Sequence, residues 1–498
     1  MFGLRTSIAL LLTLHLAAPA AGMPPVEPAA SAGLQTATGE TPDVGRKEAL
    51  RLISAWLKGM IAFRKVPGMS AGIVKGQQTI WSKGFGHSDA QGRVAAGPDT
   101  RYSICSISKL FTAVAVMQQV EQDRLALDKP LTDYLPWAKF AEVDRASGPV
   151  TLRGLLTHAA GVPREGGFQY WGAPDFAFPT REAFRKSFAD QTRLYGGFTR
   201  YQYSNMGLTL AGEAVIAASG QPYADYVTTN ILRPLKLDHT TPYLPMKAYG
   251  RGLAVGHGYL DRDGERMVLK PFDAGAVTPA AGFASSVVDL ARFAQWQFRL
   301  LQTGKTEVLQ SSTLRDMQRV QFMDPDWRIT RGLGFGVYRR GDKTYVGHSG
   351  ECPGYFTRLM LHLPSETAVI VMMNAAEPSA PYVDGIFDIL NKRQSAKNQN
   401  DAASPVDLEP YAGRYSTQPW GAEVMVLPWA GGLVTLGLPS MSPGDDMTIL
   451  KPAGEDRFRR IRPDGSEAEI VRFARGKDGR ISQMTWHDTP SPRLGAAD

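Results

Sequence analysis

Apolar and polar positions follow two rhythms along this chain, and the change between them marks its organisation. Leu50, Ile53, Leu57 and Ile61 recur at helical spacing, and Pro67-Gly68 ends that helix. Residues 70–75 and 78–84 then read as two strands joined at Gly76-Gln77. Far along the chain the same pattern returns. Residues 354–363 and 367–373 read as a strand pair turning at Pro364-Ser365-Glu366, and 383–390 as a closing helix. Helices and loops dominate the long stretch between the pairs. Strands from both ends of residues 46–392 are therefore expected in one antiparallel sheet flanked by helices, with the middle of the chain folded into a helical lobe. The fold class is α/β in the broad sense (α+β).

Residues 393–406 are polar and read as a linker. Past them the rhythm shortens. Residues 423–427, 433–438, 447–450, 457–460, 469–474 and 481–486 read as strands, with turns at Gly431-Gly432, Pro463-Asp464-Gly465 and Lys477-Asp478-Gly479. A small antiparallel β-barrel or sandwich over 407–490 is expected. The N-terminus carries Arg5, a short apolar stretch from Ile8 to Leu16, and small residues at Ala18-Pro19-Ala20. This reads as a signal peptide over 1–22, cut near Ala20–Gly22, before a flexible leader over 23–45. The apolar stretch falls short of the roughly 20 residues that cross a bilayer. A periplasmic or secreted protein with no integral membrane segment after cleavage is expected.

Composition narrows the class without naming it. The 498 residues are 43% hydrophobic and 21% charged, an ordinary globular balance. The net charge of +7 is spread thinly, so nucleic acid is not expected as a partner. Two cysteines are too few for a disulfide scaffold and lack metal-ligand spacing.

Three short motifs carry candidate chemistry. Ser106-Ile-Ser-Lys109 lies between an extended lead-in and an apolar helix, which puts the serine at a helix N-terminus favouring negative charge. Lys109 lies one turn on, on the serine's face, where a partly neutral amine can take its proton. Taken singly, the pattern also fits a capping serine and a surface lysine. Tyr203-Ser-Asn205 is the only Y-x-N among 17 tyrosines. A phenol relays protons once a nearby cation lowers its pKa, and an amide can hold a carbonyl and the lysine amine; a packed ring with its hydroxyl on backbone is the other reading. His348-Ser349-Gly350 enters or lies on a strand. Its glycine lets a substrate backbone approach, and the next amide, of Glu351, can face an oxyanion.

Together, in this order, the three motifs resemble those of the serine β-lactamase and penicillin-binding-protein superfamily, most closely the class C branch with its related esterases and D-amino-acid peptidases. Leu155-Leu-Thr-His158-Ala-Ala-Gly-Val-Pro163, Ala281-Gly-Phe-Ala-Ser-Ser286 and Gly350-Glu-Cys-Pro-Gly-Tyr355 are similar to further stretches of that family, and the resemblance covers about 46–392. Leu408-Glu-Pro-Tyr-Ala-Gly-Arg-Tyr415 resembles the start of a small barrel often appended to such hydrolases. The resemblance implies Ser106 as nucleophile, Lys109 as base and Tyr203 as proton relay. It implies Asn205 and His348-Ser349-Gly350-Glu351 as the substrate-binding set, with the amides of Ser106 and Glu351 on the oxyanion, and no metal or organic cofactor. His158 is expected to be structural, and the aromatic run Tyr170, Trp171, Phe176, Phe178 fits either a pocket wall or core. The implied fold sets the serine against the H-S-G strand, so a disulfide between Cys105 and Cys352 is open beside the simpler account of two buried thiols.

One departure bears on substrate. His348 stands where the β-lactamases carry a lysine, and no second carboxylate base is apparent. The expected protein is a secreted serine hydrolase acting through an acyl-enzyme on a small-molecule ester, a D-peptide or a cell-wall peptide. The alternatives are a β-lactamase or D-alanyl-D-alanine carboxypeptidase, and a non-catalytic cell-wall peptide-binding protein.

Overall fold

The two strand pairs meet across the long helical insertion. In this computed structural model, which describes residues 44–141, 148–397 and 406–497, the strand β1 (Gly68–Lys75) pairs with β2 (Gln78–Gly86) on one side. On its other side it pairs with β8 (Thr367–Met373), in a register that runs from Met69 against Met373 to Lys75 against Thr367. The sheet continues through β7 (Tyr355–His362), β6 (Lys343–Cys352), β5 (Gly336–Arg340), β4 (Thr330–Arg331) and β3 (Phe322–Met323), giving eight antiparallel strands in the order β2-β1-β8-β7-β6-β5-β4-β3. The expected signal peptide and residues 23–43 of the expected leader lie outside the described residues, while the leader's last two residues, Val44 and Gly45, already belong to the helix that opens the fold.

Strand alternation sorts the two faces. Met69, Ala71, Ile73, Val369, Val371 and Phe356 point to one face, where they meet helices α1 (Val44–Phe63) and α5 (Ala380–Lys397). Ile370, Met372, Leu359 and Val346 point to the other face and join the core of the helical lobe. That lobe holds α2 (Ser108–Glu121), α3 (Asn205–Ser219) and α4 (Val287–Thr303). α2 is buried from Ser108 through Gln119 and so reads as a continuous apolar run, not a striped one. The closing helix runs on to Lys397, through the start of the polar stretch read as a linker. Polar composition alone did not end it.

The last segment is a closed barrel of eight strands where the sequence suggests six. These are β9 (Gly413–Ser416), β10 (Glu423–Trp429), β11 (Gly432–Leu438), β12 (Thr448–Pro452), β13 (Arg457–Ile461), β14 (Glu467–Arg475), β15 (Ile481–Trp486) and β16 (Thr489–Gly495). β16 is hidden in the sequence because Pro490 and Pro492 break a strand pattern, and β9 because it is only 4 residues long. Tyr415 against Arg493 closes the ring. The outer face of β10 and β11, with Met425, Leu427, Val434 and Leu436, shares one core with α1 and the sheet. Trp56 Nε1 donates to the Ser440 carbonyl at 3.0 Å, and Glu48 accepts from both Arg393 Nε (2.7 Å) and the Ala430 amide (2.9 Å). The barrel therefore sits behind the sheet, across from the helical lobe.

Candidate active site

Ser106 sits in a tight turn, Cys105–Ile107, that leads directly into α2. Its neighbours Cys105 and Ile107 are fully buried while Ser106 itself stays partly open. Cys105 holds a φ of +46°, the left-handed region that β-carbons disfavour, and this lifts the serine out of the chain path. The turn is tied down covalently: Cys105 and Cys352 form a disulfide with Cα atoms 5.8 Å apart. The account of two buried thiols is thus overturned. Cys352 closes β6, so the bond fixes the serine turn against that strand.

Lys109 is sealed from solvent. Its Nζ donates to Ser106 Oγ at 2.9 Å, Asn205 Oδ1 at 2.8 Å and the Ala280 carbonyl at 2.7 Å. Burial pushes its pKa well below the usual lysine range, Arg164 and Arg331 push the same way, and Glu165 opposes them. A neutral amine keeps two donors for Asn205 and Ala280 and turns its lone pair toward the serine hydroxyl. The Tyr203 hydroxyl donates to the same Ser106 Oγ at 2.6 Å. The sequence reading has a cation lowering the phenol's pKa. Here burial outweighs the pull of Arg164 and Arg331 and raises it, so the resting phenol keeps its proton.

Asn205 opens α3, whose N-cap Ser204 accepts from the Gly207 amide at 2.8 Å. The L-L-T-H turn is the scaffold of this corner. His158 Nδ1 accepts from the Ser204 amide at 3.1 Å, and the Arg164 carbonyl accepts from the amides of Asn205 (2.9 Å) and Met206 (3.0 Å). His158 is buried, with its pKa far below normal, and acts as a neutral prop. Gly161 is required in this turn, since at its φ of +72° a Cβ would stand 2.0 Å from the Tyr195 carbonyl oxygen.

β6 brings the third motif. Even-numbered residues of this strand face the lobe, as Val346 and Cys352 show by joining its core. His348 and Gly350 therefore face the serine turn, while the Ser349 and Glu351 side chains point to the other face and offer the site only their backbone. A Cβ on Gly350 would stand 2.1 Å from the Ile104 carbonyl, so glycine lets the strand lie against the turn. β5 pairs with β6 only as far as Gly347, leaving that edge of 348–352 without a strand partner. His348 is buried, and its pKa is lowered to about 3 chiefly by burial, with the positive charge of Arg331 pushing the same way. Its Nδ1 bonds the Ser349 carbonyl, and its Nε2 has no partner among the described residues.

Two charged groups here escape the sequence reading. Glu165, which the sequence did not single out, accepts from Asn205 Nδ2 at 2.8 and 3.1 Å, from Trp171 Nε1 at 3.1 Å and from the Tyr170 hydroxyl. Both ends of the Asn205 amide are thus engaged by protein. The aromatic run divides accordingly: Tyr170 and Trp171 direct polar atoms to Glu165, while their rings pack with Phe178 at 4.5 and 5.0 Å. Arg331, on the short strand β4 next to the sheet edge, donates to the Tyr201 hydroxyl at 2.5 Å and packs on that ring at 4.9 Å. Its Nε is buried without a partner, and it forms no ion pair among the described residues. The one hint in the sequence is that Glu165 comes two residues after Pro163, which ends the stretch that opens with L-L-T-H. Nothing marks Arg331.

Comparison with known proteins agrees with this architecture. Residues 53–391 match the family described as Beta-lactamase. The D-alanyl-D-alanine-carboxypeptidase/endopeptidase AmpH of Escherichia coli (strain K12) is 31% identical over 352 residues, covering 66% of this chain and 86% of that protein. Protein flp of Staphylococcus aureus (strain MW2) is 25% identical over 331 residues, 66% of this chain, and the chain spans only 62% of that relative's length. Among solved structures, the octameric penicillin-binding protein homologue from Pyrococcus abyssi matches 90% of this chain and 99% of its own, with a TM-score of 0.61 at 24% identity. A D-stereospecific amidohydrolase from Streptomyces sp. matches 67% of this chain and 98% of its own, with a TM-score of 0.56 at 24% identity. These two show a shared fold. The family match runs from α1 to α5 and takes in all three motifs around Ser106, and on that ground this chain belongs to the beta-lactamase family.

Proposed function

We propose that the protein is a serine hydrolase that cleaves amide or ester bonds through an acyl-enzyme, with D-peptides bearing a free carboxylate as the favoured substrate class. One observation carries the reading: Ser106 Oγ is bonded at once by a solvent-sealed lysine and a protonated tyrosine. Lys109 takes the serine proton as Oγ bonds the substrate carbonyl carbon. The amides of Ser106 and Glu351 receive the oxyanion, an interaction commonly worth about 3 kcal/mol. Tyr203 gives its proton to the leaving amine or alkoxide as the C–N or C–O bond breaks, and Lys109 restores it. Water then attacks the ester, and its proton moves to the neutral Lys109 amine by way of Tyr203, which hands its own proton on as it takes the new one; as the bond from the acyl carbon to Ser106 Oγ breaks, that oxygen takes the proton back from Lys109.

Substrate preference follows from charge. His348 is neutral and cannot replace a fixed cation. Arg331, with no acidic partner among the described residues, can receive a substrate carboxylate. The D-alanyl-D-alanine-carboxypeptidase activity in the name of the Escherichia coli relative and the D-stereospecificity in that of the Streptomyces neighbour support the same class. A secreted or periplasmic setting, where an oxidising environment keeps Cys105–Cys352 formed, fits the expected leader. The test is intact mass of wild type and Ser106→Ala after brief exposure to a penicillin, with substrate turnover followed in parallel. An adduct or turnover in wild type alone is expected. Equal turnover by Ser106→Ala refutes the mechanism.

A further inference from the structure

An eight-stranded barrel either fills its interior with side chains or holds one small ligand, and this barrel does each at a different end. One end is packed by Tyr411, Phe458 and Phe473, with ring centroids 4.8, 5.0 and 5.5 Å apart. The other end is hollow, with a cavity of about 630 Å³, within the range of roughly 300–1,000 Å³ usual for small-molecule sites. Register shows that this hollow is the barrel lumen. Val424 and Met484 belong to the interior core. Gly437 pairs with Val424 and Ser491 with Met484, so they share that face. Thr435 lies two residues from Gly437 on the same strand and so points the same way.

The lining is mixed in a specific manner. Val424, Met484 and the indole of Trp486 are apolar, and Trp420 stands at the rim with 86% of its surface exposed. Between them Thr435 (2% exposed) and Ser491 (5%) are buried, face the lumen, and form no side-chain hydrogen bond among the described residues. Their hydroxyls open into the hollow, where water or a ligand can meet them. An alkyl chain would strip water from them and offer no partner, which is costly, whereas a ligand with polar groups along its whole edge would satisfy them. The charged groups around the lumen are engaged by protein: Glu423 pairs with Arg414 at 3.2 Å, Glu469 with Arg460 at 2.9 Å, and Asp446 accepts from Ser440 at 2.6 Å. That favours an uncharged occupant. We infer that the open half of the barrel is a binding site for a neutral saccharide of one or two rings. Its apolar ring face lies against the tryptophans and its hydroxyls meet Thr435 and Ser491. The site lies behind the sheet and does not depend on the chemistry at Ser106.

Gly437 supplies the decisive variant, because a Cβ there meets nothing within 4 Å and the backbone is not left-handed. Titration of the full chain with N,N′-diacetylchitobiose, followed by calorimetry and indole fluorescence, is expected to give saturable binding at about 1 mM or tighter. Gly437→Trp fills the lumen and is expected to weaken binding at least tenfold. Thr435→Val, nearly isosteric and so a safeguard should the larger change unfold the barrel, is expected to weaken it about five- to tenfold at an unchanged melting temperature. No saturable binding up to about 50 mM, binding indifferent to both variants, or preferential uptake of 1-decanol would each overturn the inference.

Discussion

Replacing Glu165 by glutamine removes one charge while keeping the shape of the cluster around it. Glutamine retains an oxygen for Asn205 Nδ2 and Trp171 Nε1, so the main loss is the negative charge that favours protonated Lys109. Lys109 Nζ and the carboxylate are bridged by the Asn205 amide, through contacts of 2.8 Å on each side. That spacing puts the two charges about 6–7 Å apart, an attraction of roughly 2.5 kcal/mol at an effective dielectric constant near 20. Arg164, paired with Glu165 at 2.9 Å, cancels part of it. The lysine pKa in Glu165→Gln should therefore fall by about one to two units further. Because the base must be neutral, the acid limb of kcat/KM against pH should move to lower pH by that amount. The assay is initial rates on a chromogenic D-peptide amide across the acid range, with melting temperature as control. An unmoved limb, or one displaced upward, refutes the electrostatic reasoning. A collapse of the plateau by more than about a hundredfold would instead make Glu165 a participant in proton transfer.

Acid stability should depend on His348. Its folded pKa of about 3 lies below the 6.5 of the free side chain, so between those values the unfolded chain binds a proton that the folded protein refuses. Stability from this group is complete above pH 6.5 and is lost as the pH falls toward 3. Against His348→Gln in urea titrations, wild type should lose about 3 kcal/mol more between pH 7 and 4; parallel pH profiles would contradict the buried neutral imidazole. Cys352→Ser opens a link between residues 247 apart, for which chain entropy predicts a loss of about 5 kcal/mol. A lower turnover number should accompany it as the serine turn loosens; unchanged stability in non-reducing buffer would argue against a formed bond.

Much of this protein is local and so was legible in the sequence. Apolar periodicity and turn residues mark the strands on either side of the helical insertion, and side chains one helical turn apart must share a face, which ties Lys109 to Ser106. The three motifs in order carried the family. What local pattern cannot hold is a pairing between distant segments. Glu165 is an ordinary loop acid until its chain folds onto Asn205, 40 residues away, and Arg331 is an ordinary strand cation until β4 lies beside Tyr201. The cysteines are separated by most of a domain, so only the docking of β6 on the serine turn decides that they bond. The alternation that sends His348 inward and Ser349 outward is fixed by which face of the sheet is covered. The hollow in the barrel is a matter of closure: eight short strands are each visible or hidden on their own, but a lumen exists only once the first has paired with the last.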